Sequence, residues 1–275
     1  MISRCHYVAT WLGWLFLLTA CTMVDLPPVP PQRPYQPPIL QGSSAHGGGK
    51  LTVAIPENRP PYFIGAFENG LERDVIRESF EAVGLHPEFM ATGDRQKKFD
   101  SERFGIECVS SILEDFKLKS KAYFSDPVIP YQYTPFSLKK GGVEIRKFED
   151  LAGKNVEAFS FASRYLGPEY ANMIPRMLLY SEHLNRSSQV NLLLRGHVDV
   201  LVMDRIMFHS IRKNLINMRP TDLEEEIFES PISKTVDFKL ACHHEENVKA
   251  FNKGLALLRA KPRYAELFKQ YCELY

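Results

Sequence analysis

Asp204 ends the apolar run Val200-Leu-Val-Met203 and so puts a carboxylate at the carboxyl edge of a strand, the place where open α/β sheets meet their ligands. A carboxylate there can hold a cation. As the residue before a helix starting at Arg205, it also accepts that helix's first free amide hydrogens, and one side chain can do both. The aromatic residues Tyr62, Phe63, Tyr131, Phe159 and Phe161 offer faces that stack on a flat or cationic ligand, or else simply pack a core. Covalent and metal chemistry find less support. The chain has no Gly-x-Ser-x-Gly elbow, no His-Glu-x-x-His, no Cys-x-x-Cys and no cysteine paired with a motif-placed histidine. His243-His244-Glu245-Glu246 carries metal-capable groups, but neighbouring residues of a strand face opposite ways and the two histidines would not converge. Gly47-Gly-Gly-Lys50 is followed by Leu51 where a phosphate loop needs Ser or Thr, and it reads as the end of a linker. No cofactor is expected.

Alternating strands and helices would position these groups. Leu51-Thr-Val-Ala-Ile55 is a β-branched strand stopped by Pro56 and the turn residues Asn58-Arg-Pro-Pro61. Asp74 to Val83 places Ile76, Phe80 and Val83 on one helical face, Gly84 ends that helix, and His86 to Met90 is the next strand. A second series holds the strand Asn155 to Phe159, a helix from about Ser163, a helix from Ser187 or Ser188 to Arg195 stopped by Gly196, and the strand Val198 to Met203. Amphipathic helices from Asn247 to Ala260 and Pro262 to Tyr271 close the chain. Two such series argue for parallel sheets in two lobes.

The N-terminus fixes where this body would live. Leu18-Thr-Ala-Cys21 follows an uncharged run from Trp11 and resembles the lipobox of bacterial lipoproteins, with Arg4 ahead of it. The run from Trp11 to Ala20 would extend roughly 15 Å as a helix, too short to span a bilayer. Residues 1–20 are then a signal peptide and Cys21 the lipidated first residue of the mature protein. The prolines and glycines of residues 21–49 make an extended, flexible tether. About 250 residues remain, enough for one large or two small domains. A net charge of +1, with 44% hydrophobic and 24% charged residues, fits a globular body and gives no reason to expect nucleic acid as partner. Cys108, Cys242 and Cys272 would sit in a compartment that permits disulfides. Cys242 with Cys272 is the preferred pair, with three free buried thiols the alternative.

Several separated segments together resemble the extracellular solute-binding proteins of the polar amino acid type, family 3. They are Pro60-Pro-Tyr-Phe63, Gly70-Leu-Glu-Arg-Asp74, Phe124-Ser-Asp-Pro127 with the strand Tyr133 to Lys140, Asp150-Leu-Ala-Gly-Lys-Asn-Val156, Gly196 to Asp204, and Phe238 to His243 with Ala250-Phe-Asn-Lys-Gly254. The resemblance runs from Leu51 to Tyr275 in family order. It implies an α/β, two-lobed type II periplasmic-binding-protein clamshell with two interlobe crossover strands. The first lobe would comprise residues 50–137 and the return segment 238–275, the second residues 138–237.

By that resemblance Asp204 would hold an ammonium group, and Pro61, Tyr62, Glu57 and Glu72 would belong to the first lobe's ligand segments. The family's carboxylate-binding Arg falls on Leu118 here, so Lys117, Lys119 or Arg164 would have to replace it. Where the family shows Gly-Thr-Thr at an anion-gripping helix end, this chain has Phe161-Ala-Ser163, and Ser163 keeps a hydroxyl beside the helix amides. Ala158-Phe-Ser160 and Leu166-Gly-Pro-Glu-Tyr170 resemble a divergent branch of the family. The candidate ligand residues are thus Glu57, Pro61, Tyr62, Glu72, Tyr131, Phe159, Phe161, Ser163, Arg164 and Asp204. The expected function is non-enzymatic: a monomeric, lipid-anchored protein on the periplasmic face of the envelope that captures a small polar or aromatic ligand for an ABC permease. The alternatives are a ligand-sensing lipoprotein that feeds a receptor and a cyclohexadienyl-dehydratase-like lyase, the latter disfavoured by the missing Arg.

Overall fold

A computed structural model of the chain describes residues 51–65, 69–114, 118–218 and 225–273. Cys21, the tether, the Gly47 to Lys50 segment and Lys117 lie outside the described residues. Five-residue strands β1 (Leu51–Ile55), β2 (Pro87–Ala91) and β3 (Cys108–Ile112) run parallel, with α1 (Leu71–Glu81) as the crossover from β1 to β2 and α2 (Arg95–Phe99) following β2. After β4 (Tyr123–Phe124) the long β5 (Ile129–Leu138) leads into β6 (Asn155–Phe159), α3 (Ala162–Tyr165), α4 (Gly167–Ala171), β7 (Leu179–His183), α5 (Arg186–Leu194), β8 (Val200–Asp204) and α6 (Arg205–Met218). Then β9 (Ile227–Glu229) and β10 (Lys234–Cys242) bring the chain back, and α7 (Glu245–Arg259) and α8 (Pro262–Glu273) pack beside α1.

The strands form one path, β2-β1-β3-β10-β5-β8-β6-β7. Its two halves meet where β10 and β5 lie antiparallel, Lys234 opposite Tyr133 and Phe238 opposite Ile129. Beyond that contact β10 continues along β3 and β5 continues along β8, so each crossing strand is anchored in both lobes. Two β-strands that bend together make a hinge.

The inner parallel strands are buried on both faces, as a sheet covered on each side must be. β1, β3 and β8 are buried along their whole length. Two glycines set how closely elements approach. A Cβ on Gly254 of α7 would stand 1.8 Å from the Ser79 carbonyl oxygen of α1, so those helices touch backbone to backbone. Gly70, at φ 140° and with its missing Cβ 2.3 Å from the Tyr62 carbonyl oxygen, lets the loop after β1 press onto the start of α1.

The cysteine expectation fails. Cys108 and Cys242 are the bonded pair, on neighbouring strands β3 and β10 with their Cα atoms 4.1 Å apart. Proximity in sequence had favoured Cys272, but that residue belongs to the later helix α8, whereas antiparallel register sets Cys108 directly opposite Cys242.

Gly254→Ala is expected to force α1 and α7 apart and to destabilise the protein by about 1–3 kcal/mol, read as a lowered urea midpoint. An unchanged midpoint would mean that the helices do not meet this closely.

Candidate functional site

The loops after the carboxyl ends of β1, β2, β3, β6 and β7 converge on a cleft of about 440 Å3 between the lobes. The first lobe contributes Glu57, Arg59, Arg95 and Ser111, the second Phe159, Phe161, Leu184 and Arg186, and Tyr133 and Phe238 come from the crossing strands β5 and β10. Tyr133 and Phe159 stack with ring centroids 3.8 Å apart and form one aromatic wall.

Beneath the cleft lie two carboxylates with no access to water. Glu72 accepts hydrogen bonds from Ser111 Oγ at 2.8 Å and Tyr131 Oη at 2.5 Å, and Arg59 Nη2 stands 3.6 Å from it. Arg59 also donates to Ser111 Oγ at 2.5 Å and to Tyr131 Oη at 3.3 Å, and its guanidinium rests within 6 Å of the rings of Phe63, Tyr131 and Phe238. Burial works against the Arg59 charge, yet Tyr131 and Glu72 hold its pKa above the ordinary value. Ser111, at φ 55°, adopts a left-handed backbone that a non-glycine residue tolerates only under constraint, and here its hydroxyl joins Arg59 to Glu72.

Asp204 is the second buried carboxylate. Tyr62 Oη donates to its Oδ1 at 2.6 Å, the Met207 amide to the same oxygen at 3.0 Å, and the Gln132 amide to Oδ2 at 3.1 Å. Tyr62 lies in the first lobe and Asp204 in the second, so this bond spans the lobes. Burial pushes the Asp204 carboxyl up to about 6, the three donors notwithstanding, and burial followed by the Asp204 charge pushes the Tyr62 hydroxyl well above its usual value.

The candidates therefore divide. Glu57, Phe159 and Phe161 line the cleft, Glu57 at the rim with Oε1 on the Gly93 amide. Tyr131 and Glu72 support Arg59 from below. Tyr62 and Asp204 bond each other and Asp204 caps α6 as well, so each of its oxygens already accepts a protein donor, and it stands outside the cleft lining. Pro61 is buried outside the cleft lining, at a cis Pro60–Pro61 bond. The start of α3 is already filled, because Glu182 accepts the amides of Phe161 at 2.6 Å and Ser163 at 2.8 Å. Burial opposes the Glu182 charge, but the Tyr180 hydroxyl and these donors hold its pKa below the usual range. Arg164 points at the Tyr165 ring, outside the lining. Lys119 is exposed with its amide on Asp100, and Leu118 packs on a small apolar cluster under β3.

The cations that do reach the cleft are Arg59, Arg95 and Arg186, none of which stood among the sequence candidates. Each follows the carboxyl end of a parallel strand, β1, β2 and β7. The rule that singled out Asp204, applied to every strand, would have found them. Arg95 Nε donates to the Ser110 carbonyl at 3.1 Å. Arg186 begins α5. Burial, reinforced by the Arg59 charge, draws the Arg95 guanidinium down to about 10 and lowers Arg186 too. Among the described residues no group of three or more His, Cys, Asp or Glu side chains is placed to hold a metal ion.

No family model matches the chain, and no curated protein matches it. Solved structures do. A histidine kinase sensor domain with similarity to periplasmic binding proteins aligns over 81% of this chain and 95% of its own at 18% identity and TM-score 0.61. An ancestral amino acid-binding protein, a precursor of cyclohexadienyl dehydratase, aligns over 81% and 95% at 17% identity and TM-score 0.60. The second substrate binding domain of a putative amino acid ABC transporter from Streptococcus pneumoniae aligns over 81% and 99% at 17% identity and TM-score 0.58. The fold is that of the type II periplasmic binding proteins.

A buried acid whose pKa is raised on folding contributes stability below its unfolded pKa and loses that contribution as pH rises through its folded value. For Asp204 the window runs from 3.8 to about 6. Asp204→Asn should escape this loss, so its stability relative to the unaltered protein should rise by about 2 kcal/mol between pH 4 and pH 7. Parallel urea-denaturation profiles for the two proteins would show that Asp204 carries no such penalty.

Proposed function

We propose that the chain is a membrane-tethered solute-binding protein that closes its lobes over a small carboxylate-bearing ligand, polar or aromatic, and presents it to an ABC-type importer. The observation that carries this reading is the cleft, which takes aromatic and cationic side chains from both lobes and lies beside the two crossing strands. Ligand in such a cleft bridges the lobes and favours the closed form, the state a membrane partner can distinguish. Guanidinium groups in the lining suit a carboxylate through paired charge-assisted hydrogen bonds.

Capture is a better reading than catalysis. Three arginines line the cleft, so a lyase would not lack its cation here. The acid is what the cleft does not offer. Glu72 and Asp204 are consumed by their own donors, and among the described residues Glu57, held at the rim by the Gly93 amide, is the only acidic side chain in the lining. Envelope location rests on the Leu18 to Cys21 motif and is consistent with the Cys108–Cys242 bond, since disulfides persist in oxidising compartments. A receptor in place of the permease is the second reading, favoured by the sensor domain of the same fold.

Cys21→Ser protein is expected to leave the membrane fraction, because the apolar run before it is too short to span. Full retention after carbonate washing would remove the lipid anchor. Full-length protein in detergent, screened by thermal shift against small carboxylic acids and amino acids, should yield at least one compound that raises the melting temperature. At a hundredfold excess over Kd the gain is about 2.7 kcal/mol. Phe159→Ala should weaken that compound at least tenfold. A shift indifferent to Phe159 would place binding elsewhere.

A further inference from the structure

We infer that the cleft is built for a planar ligand of net charge −2, its acidic oxygens held between Arg95 of the first lobe and Arg186 of the second. The inference rests on the capture reading above and narrows it. Arg59 has its own counter-charge in Glu72. Arg95 and Arg186 do not: among the described residues no carboxylate lies within ion-pair distance of either. Their hydrogen-bond partners are neutral backbone carbonyls, those of Ser110 at 3.1 Å and Ser111 at 3.4 Å for Arg95 and that of Leu184 at 3.5 Å for Arg186. Both side chains are half-buried in the cleft lining.

Two half-buried guanidinium groups on facing lobes repel each other and oppose closure. Counter-charge brought by the ligand turns that repulsion into attraction across the cleft. One negative charge leaves one guanidinium uncompensated, whereas two satisfy both, and each can receive paired hydrogen bonds to two oxygens. In the same lining the stacked Tyr133 and Phe159 add aromatic surface, which suits a planar body better than a bulky aliphatic one. The same geometry disfavours α-amino acids. Their ammonium group needs an acceptor, and Glu72 and Asp204 lie outside the lining, bonded to protein donors, so that among the described residues Glu57 at the rim is the one acid the cleft offers.

A dicarboxylate and a phosphate monoester share this chemistry, and the test separates them. Full-length protein in detergent is titrated calorimetrically with benzoate, phenylalanine, terephthalate and phenyl phosphate at one salt concentration. The expected result is that terephthalate or phenyl phosphate binds at least tenfold more tightly than benzoate, and phenylalanine more weakly than either. The tighter of the two dianions identifies the acidic group. Arg95→Gln and Arg186→Gln, one in each lobe, should each bring the preferred dianion to within a few-fold of benzoate, and Arg186→Lys should restore only part of the loss. If benzoate or phenylalanine binds as tightly as both dianions, the charge assignment is overturned while capture stands. If both glutamine variants keep the full dianion preference, the two arginines are not its source. Silence from all four compounds overturns this inference, while capture stands or falls with the wider thermal-shift screen.

Discussion

A carboxylate withdrawn from water must be neutralised or given donors, and this protein withdraws two. Glu72 and Asp204 sit under the cleft floor, and much of the local architecture serves them. Arg59, Ser111 and Tyr131 surround the first, and Tyr62 with two backbone amides surrounds the second. Tyr62 and Tyr131 are therefore tied at one end to a charge and at the other to each other, with ring centroids 4.2 Å apart. Gly70 makes the arrangement possible by letting the Tyr62 backbone approach α1. With Glu72 and Asp204 turned to their own donors, the cleft is left with three arginines and, among the described residues, one acid at its rim, Glu57.

The elements that were legible in the sequence are those whose burial is periodic or continuous. β1, β6 and β8 stand where Leu51 to Ile55, Asn155 to Phe159 and the run ending at Asp204 announce them, and α5 stops just before Gly196, which takes φ 72°. Such segments report their own environment, and a chain read in order can register that. The two-lobed architecture followed from the order of several weak motifs, each insufficient alone.

The site was less legible, for a different reason. Which of many polar side chains meet across a cleft depends on how distant loops cross, and an arginine in a turn looks the same whether it faces a ligand or bulk water. Arg59 sat in a segment read only as a turn, while Arg95 and Arg186 belong to unremarkable polar stretches. Ser163 shows the converse. A helix amide end predicts an anion correctly, but the anion is the chain's own Glu182. Asp204 likewise carries a real carboxylate at a strand end, already occupied by a tyrosine from the opposite lobe. Sequence identified the kind of interaction in both cases and could not see the internal partner.

The Cys108–Cys242 bond has a topological result. The residues between the two cysteines include all of β5, all of the second lobe and most of β10, so the entire second lobe is part of a loop closed at its base by sulfur. A single backbone cut anywhere in that loop leaves no fragment free to diffuse away. The two pieces stay one covalent object until a reductant reaches β3 and β10, and a nicked molecule kept from reductant still migrates as one chain.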